Sequence, residues 1–269
     1  MRTNYTPMLD TQAGSCLTTL NWQEIGAQNA SYSLESLLVK PGSIDLLKQI
    51  SSLKAFLAWS GTLILNAMNF PKAKQGVYTL ISPYDGSKVA ISYAELAELM
   101  KHLQPDAVVL PKDFVQEYRE FWTDWDASIL PFISADVTHG ISSEQKYGLY
   151  FKLEENAAKI QHFTGVPKLV AGDIGPELIR QLSTHQITYV VTDQPAHLAM
   201  QGKVYSESGI LDLTKNEFRE QFTVIASNCS CSTCSQQMTK AYLHHLLAHT
   251  PLLCQRFLIQ HNAYYSFTF

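Results

Sequence analysis

No stretch of this 269-residue chain reaches the roughly 20 consecutive apolar residues that a membrane-spanning helix needs. The first ten residues hold Arg2 but no apolar block, so no secretory leader is expected. Internal repeats and low-complexity tracts are missing too. Positive charge is scarce: the net charge is −4, whereas a dedicated nucleic-acid binder usually carries a basic footprint. Any RNA contact therefore has to use a local patch, with a small electrostatic share of the affinity. Only 16% of residues are charged and 46% are hydrophobic, which excludes wholesale disorder and leaves enough apolar surface for a sizeable core. The expectation is a cytoplasmic protein with no membrane partner.

Cysteine is scarce, odd in number and unevenly spread: Cys16, Cys229, Cys231, Cys234 and Cys254. A disulfide framework predicts an even, dispersed set, so the crowding of three within six residues favours a metal. Cys229-Ser-Cys231-Ser-Thr-Cys234 is C-x-C-x2-C, and its thiolates can face one centre if the backbone makes a tight knuckle around an ion with Zn–S bonds of about 2.3 Å. A fourth ligand is needed, and His244, His245, His249, Cys254 and His261 are within reach in sequence. Helical patterns run over 239–249 and 251–261. A hairpin of helices starting at the knuckle brings the end of the second one back, which favours His261, while His244 and His245 point away mid-helix. Three cysteines and one histidine fill a tetrahedral ion, so the expectation is one structural zinc per chain rather than a catalytic one with an open position. Cys16 and Cys254 read as plain buried thiols.

Short β-rich runs alternate with helical patterns. Strands are expected at 29–33, 62–65, 107–110, 130–133, 147–151, 168–171 and 187–191, and helices at 43–52, 93–102, 114–122, 154–163 and 176–182. Ser92 followed by Glu95 is a capping-box pattern, and Pro176 suits a first helical position. Repeated strand–helix units imply parallel strands with right-handed crossovers. Their number suits an α/β fold of the (β/α)8 TIM-type barrel class, with a doubly wound sheet as the alternative. Residues 76–89 read as an inserted hairpin turning at Asp85-Gly86. The expected organisation is a shortened barrel over 1–222 and a C-terminal zinc-binding subdomain with a helical hairpin over 223–269.

The run Cys229-Ser-Cys231-Ser-Thr-Cys234, then Ala241-Tyr242-Leu243-His244-His245-Leu246, then His261-Asn262, closely resembles the zinc subdomain of tRNA-guanine transglycosylases, which exchange a guanine in tRNA for queuine or a related 7-deazaguanine. The resemblance implies that Cys229, Cys231, Cys234 and His261 are the zinc ligands and that the fold is a (β/α)8 barrel. It extends to Thr6-Pro7, Glu24-Ile25-Gly26-Ala27, Lys40-Pro41-Gly42, Phe56-Leu57-Ala58-Trp59, Asp85-Gly86-Ser87 and Gly202-Lys203-Val204-Tyr205, and it is weak in the middle of the chain.

At the positions that carry the family's chemistry this sequence departs. Members have Asp-Ser-Gly-Gly-Phe-Gln after the catalytic strand, where this chain has Asn66-Ala67-Met68-Asn69-Phe70-Pro71, and an amide takes no proton at neutral pH. A base-binding Gln-Gly-Gly is replaced by the bulky run from Tyr147-Gly148-Leu149-Tyr150. Counting back from Gly202 puts Val191 at the nucleophile, and valine forms no glycosyl ester. Asp193 is the fallback nucleophile under a two-residue shift, and Asp113 stands near the family's guanine-contacting aspartate. The resemblance thus implies a non-catalytic or accessory subunit, with Asn262 to Phe269 similar to the aromatic tail of the eukaryotic accessory subunit. It implies a homodimer, or a heterodimer with a catalytic transglycosylase subunit, and a contact with tRNA. An active transglycosylase using Asp193 and a barrel repurposed for another small molecule are the alternatives.

Overall fold

The structure is a computed structural model that describes residues 4–40, 44–138, 145–184 and 186–268. Pro41 and Gly42 of the family-like loop, the first residue of the helix expected at 43–52, and the terminal Phe269 lie outside the described residues. Among the described residues twelve strands form: β1 Tyr5–Thr6, β2 Asn29–Ser33, β3 Thr62–Asn66, β4 Val77–Ile81, β5 Lys88–Ser92, β6 Ala107–Val109, β7 Leu130–Ser134, β8 Gly148–Lys152, β9 Lys168–Ala171, β10 Tyr189–Val191, β11 Lys203–Ser206 and β12 Gly209–Asp212. Eight of them make one sheet in the order β1-β10-β9-β8-β7-β6-β3-β2, with β4–β5 and β11–β12 as separate two-stranded hairpins. The eight-stranded sheet is parallel throughout its recorded registers, with helices between its strands, as a (β/α) barrel class requires. All seven strands expected from the β-rich runs are present.

The chain divides into two compact units. One comprises Asn29–Gly172 and Gln186–Tyr189. Its strands are apolar without alternation: Leu63, Ile64 and Leu65 of β3, and Ala107, Val108 and Val109 of β6, are all essentially inaccessible. That is the signature of parallel strands covered on both faces. The β4–β5 hairpin turns at Gly86, whose φ of +72° is a left-handed conformation, and Asp85 Oδ1 accepts from the Ser87 amide at 3.1 Å. Its second strand runs straight into the helix Tyr93–Leu103 through the expected capping box. Ser92 Oγ accepts from the Glu95 amide (3.3 Å), and Glu95 Oε2 accepts from the Ser92 amide (2.9 Å).

Two expected helices of this unit are broken. The 114–122 pattern forms as Phe114–Glu117 and Phe121–Asp124, because Tyr118 leaves the helical region (φ −118°, ψ 78°) and stacks on Tyr93 with ring centroids 6.0 Å apart. The 154–163 pattern is one α turn, Leu153–Asn156, followed by a 3-10 segment, Ala157–His162, since Asn156 departs from helical φ/ψ.

The other unit comprises Met1–Gln28, Asp173–His185 and Val190–Phe269. Here β1 pairs with β10 in the register Tyr5↔Val190 and Thr6↔Val191. The helix Pro251–Thr268 is its hub. Buried residues occur on several of its faces, among them Cys254, Leu258, Ile259, His261, Asn262, Ala263 and Phe267. Beyond its exposed first turn, a helix buried on several faces has several neighbours. Those include the helices Gln194–Met200 and Lys240–His249, the short helix Ser232–Ser235, and β11. The helices Lys240–His249 and Pro251–Thr268 form the expected hairpin, with Thr250 between them. Among the described residues no helix is long and apolar enough to cross a membrane.

Candidate functional site

The sulfur-rich segment folds as a knuckle because sulfur does the work of a helix cap. Cys231 precedes the helix Ser232–Ser235, and its Sγ accepts from the Cys234 amide at 3.4 Å. That places Cys231 and Cys234 on one side of a single turn. Thr233 Oγ1 donates to the Phe257 carbonyl at 2.7 Å, and Ser232 Oγ donates to Gln260 Oε1 at 3.0 Å, so the knuckle is stapled to the long helix. One turn further along that helix His261 projects back at the sulfurs. Its Nδ1 lies 3.7 Å from Cys229 Sγ and 3.4 Å from both Cys231 Sγ and Cys234 Sγ. All four residues are buried, and their ligand atoms lie within 4.8 Å of one another. A tetrahedral ion with ordinary Zn–S and Zn–N bonds separates sulfur from nitrogen by about 3.6 Å. The group could therefore hold a metal such as zinc.

The orientation of His261 is set by β11. Its Nε2 lies 2.8 Å from the Tyr205 carbonyl, which can only accept, so Nε2 carries the proton and Nδ1 presents its lone pair to the sulfurs. Hydrogen bonds from Cys229 and then Cys231 pull the Cys234 thiol down to about 3, while Cys231 is pushed up by its contacts with Cys229 and Cys234. Three crowded sulfurs cannot all ionise by themselves, and a divalent cation is what such a donor set needs.

The next residue completes the arrangement. Asn262, fully buried, accepts from the Tyr205 amide through Oδ1 (3.0 Å) and donates from Nδ2 to the carbonyls of Pro195 and Lys203 (3.0 Å each). The other candidate ligands are accounted for elsewhere. Cys254 Sγ donates to the Leu243 carbonyl, and burial pushes its thiol up to about 12. The expectation of a plain buried thiol is met at Cys254 and not at the half-exposed Cys16. His244 Nδ1 sits 2.8 Å from the Leu213 carbonyl, and the His245 and His249 rings pack on each other at 4.3 Å.

Apart from Gly148, which opens β8, the remaining candidates lie at or just beyond the C-terminal ends of strands, where (β/α) barrels keep their chemistry. Asn66 ends β3, and its Oδ1 accepts from the Met68 amide at 2.9 Å, closing the following turn. Val191 ends β10 and is 1% exposed. Asp193 lies beyond the strand, at the head of the helix Gln194–Met200, with φ −102° and ψ −5°. The strand rule that residues two apart share a face therefore does not extend to it. Its Oδ1 accepts from Thr11 Oγ1 at 2.8 Å. Burial raises its carboxyl to about 6, against the opposing pull of the Thr11 bond and His197 and with a smaller push from Asp10. Asp113 has both oxygens engaged: Oδ1 accepts from Tyr78 Oη (2.8 Å), and Oδ2 from the Ala73 amide (3.0 Å) and Tyr93 Oη (3.5 Å). It holds the foot of the β4–β5 hairpin. Gly148 has a packing reason, since a Cβ there would lie 2.4 Å from the Phe132 ring.

A model of the family described as queuine tRNA-ribosyltransferase matches residues 143–269. The queuine tRNA-ribosyltransferase of Blochmanniella pennsylvanica is 23% identical over 304 residues, covering 93% of this chain and 82% of that protein. Its counterpart in Thermotoga neapolitana is 23% identical over 302 residues, covering 94% of this chain and 81% of that protein. Queuine tRNA-ribosyltransferase accessory subunit 2 of Drosophila melanogaster is 33% identical over 112 residues, 38% of this chain and 27% of that protein. The parallel sheet and the Cys3His group agree with these matches, which support a protein of the queuine tRNA-ribosyltransferase type, the tRNA-guanine transglycosylases.

Proposed function

We propose that this chain serves tRNA modification as a non-catalytic subunit, pairing with a catalytic transglycosylase and helping to place tRNA, with one structural zinc held by Cys229, Cys231, Cys234 and His261. The observation that carries the reading is Val191. Under the resemblance it occupies the nucleophile's position, and it is a buried strand residue in register with Thr6. A branched hydrocarbon offers neither an electron pair to an anomeric carbon nor a proton to a leaving base. Asn66 supports the same reading, because an amide takes no proton at neutral pH and its oxygen already accepts from the Met68 amide. The similarity to an accessory subunit favours a heterodimer over a homodimer.

A second reading has one observation in its favour. Asp193 is a part-buried carboxylate immediately after β10, and its carboxyl, raised to about 6, is still mostly ionised at neutral pH. As a nucleophile it would need release from Thr11. Exchange of labelled guanine into tRNA separates the two readings. The purified chain is expected to give no incorporation, alone or as Asp193→Ala. Incorporation that disappears in Asp193→Ala would establish catalysis. Co-purification with a catalytic transglycosylase, and restored exchange in the mixture, is the positive outcome for the subunit role.

A further inference from the structure

The helix pair Lys240–His249 and Pro251–Thr268 carries four histidines, His244, His245, His249 and His261. His261 is committed to the Tyr205 carbonyl and the sulfurs, and His244 Nδ1 to the Leu213 carbonyl. His245 and His249 are both exposed, and neither makes a hydrogen bond among the described residues. Their contact is with each other, ring centroids 4.3 Å apart and planes inclined at 44°. Residues four apart lie above one another on one helix face, so the backbone itself makes these imidazoles neighbours. Two nitrogens bound side by side to one ion, at about 2.0–2.1 Å each, are about 3 Å apart. Rings already in contact reach that separation by turning about their own side-chain torsions, with the helix unmoved.

The surroundings select the kind of ion. Residues 241–255 contain no aspartate, glutamate, lysine or arginine. An all-nitrogen pair is a poor match for Mg²⁺ or Ca²⁺, which take oxygen ligands, and suits the late first-row divalent ions. The one thiol in that stretch, Cys254, is fully buried and spent on the Leu243 carbonyl. Helix propensity does not explain the pair either, because alanine, lysine or glutamine is the better helix former at an exposed position.

We propose that His245 and His249 form a two-imidazole chelate for a late first-row divalent cation (Ni²⁺, Cu²⁺ or Zn²⁺), separate from the Cys3His group. Two protein ligands leave the other coordination positions to water, so this site is open and exchangeable where the buried Cys3His group is closed. A bound ion ties the last two turns of the helix Lys240–His249 together and stabilises them. The proposal does not depend on whether the chain is catalytic, and both ligands belong to one unit of the chain.

Equilibrium dialysis of the full, zinc-loaded chain against Ni²⁺ tests it, with nickel and zinc both counted by elemental analysis. One nickel per chain is expected with zinc retained, and an excess of Mg²⁺ or Ca²⁺ should not displace it. His245→Ala and His249→Ala are each expected to weaken nickel by at least about tenfold, because the second imidazole of a chelate acts at a high effective concentration. The double variant should bind no worse than either single one, since a chelate is lost with its first ligand. His162→Ala, which removes an exposed histidine of the other unit, should change nothing. Nickel should also raise the melting midpoint of the unaltered chain and not of either single variant. The nickel assigned to this site is a difference between variants, so the result stands apart from what the sulfurs hold. Nickel bound only in exchange for zinc, losses in the single variants that add in the double one, or an equal loss in His162→Ala would overturn the proposal. Circular dichroism of each variant separates lost binding from lost folding.

Discussion

The Cys3His group and the ends of β3 and β10 use their polar side chains in opposite ways. Around the Cys3His group every polar atom of consequence has a partner that fits: His261 to Tyr205, Thr233 to Phe257, Asn262 to three backbone groups. At the strand ends, side chains that would need freedom to react are turned into local braces or hydrocarbon. Asn66 closes a turn, Asp113 clamps a hairpin, and Val191 is core. Side chains that fix a shape surround the Cys3His group, whereas the strand ends present braces and hydrocarbon, a contrast that fits the proposed non-catalytic role.

The hardest test of that contrast is metal removal. A structural zinc of this donor type contributes on the order of 10 kcal/mol of coupled folding free energy, so strong chelation, or Cys234→Ser, is expected to unfold the C-terminal region. Elemental analysis should give one zinc per chain. A metal-free chain with an unchanged melting profile would remove the first half of the comparison. Next is Asn262→Ala, which leaves one buried amide and two carbonyls without their partner. A loss of about 3 kcal/mol or more is expected in denaturant unfolding. Substituting Gly148→Ala asks whether that glycine is kept for packing or for a ligand. The 2.4 Å approach to Phe132 predicts a cost of about 1–3 kcal/mol, read as a lower midpoint. An unchanged midpoint would argue that the glycine is there to leave a ligand room.

The smallest effect sharpens the contrast most. Asp193 has its folded carboxyl raised to about 6, above its ordinary value of 3.8. The folded chain therefore holds this proton more tightly than the unfolded one. That stabilisation is complete below about pH 4 and is lost as pH rises through about 6. Asp193→Asn keeps an oxygen for Thr11 and removes the charge, so it should stabilise the chain by about 1 kcal/mol at pH 7 and by little at pH 4. A group retained for catalysis would show the reverse balance: activity lost for that gain in stability.

Much of this was legible in the sequence because it depends on local pattern. Uninterrupted apolar runs such as Leu63-Ile64-Leu65 gave the parallel strands, Asp85-Gly86 the hairpin, Ser92 with Glu95 the cap, and the cysteine spacing with a helical hairpin the grouping of His261 with the knuckle. What was not legible depends on partners distant in the chain. The reach of Asn262 to residues 195, 203 and 205 has no local signature beyond an asparagine in an apolar helix. Asp113 looks free in sequence, and only the fold brings Tyr78 and Tyr93 to it. The break at Tyr118 is decided by ring stacking against helical periodicity. The β11–β12 hairpin turns at Glu207 and Ser208, which lack an Asn-Gly or Asp-Gly signal.

Consecutive residues of one helix read the two backbone groups of a single strand residue: His261 takes the carbonyl of Tyr205 and Asn262 takes its amide. Sliding that helix by one position would turn its side chains by about 100° and break both readings together with the sulfur contacts. The helix therefore has one permitted phase. An added or deleted residue can be absorbed at the joint around Thr250, before the helix begins, whereas the same change between Phe257 and Asn262 would uncouple the knuckle from the strand it is anchored to.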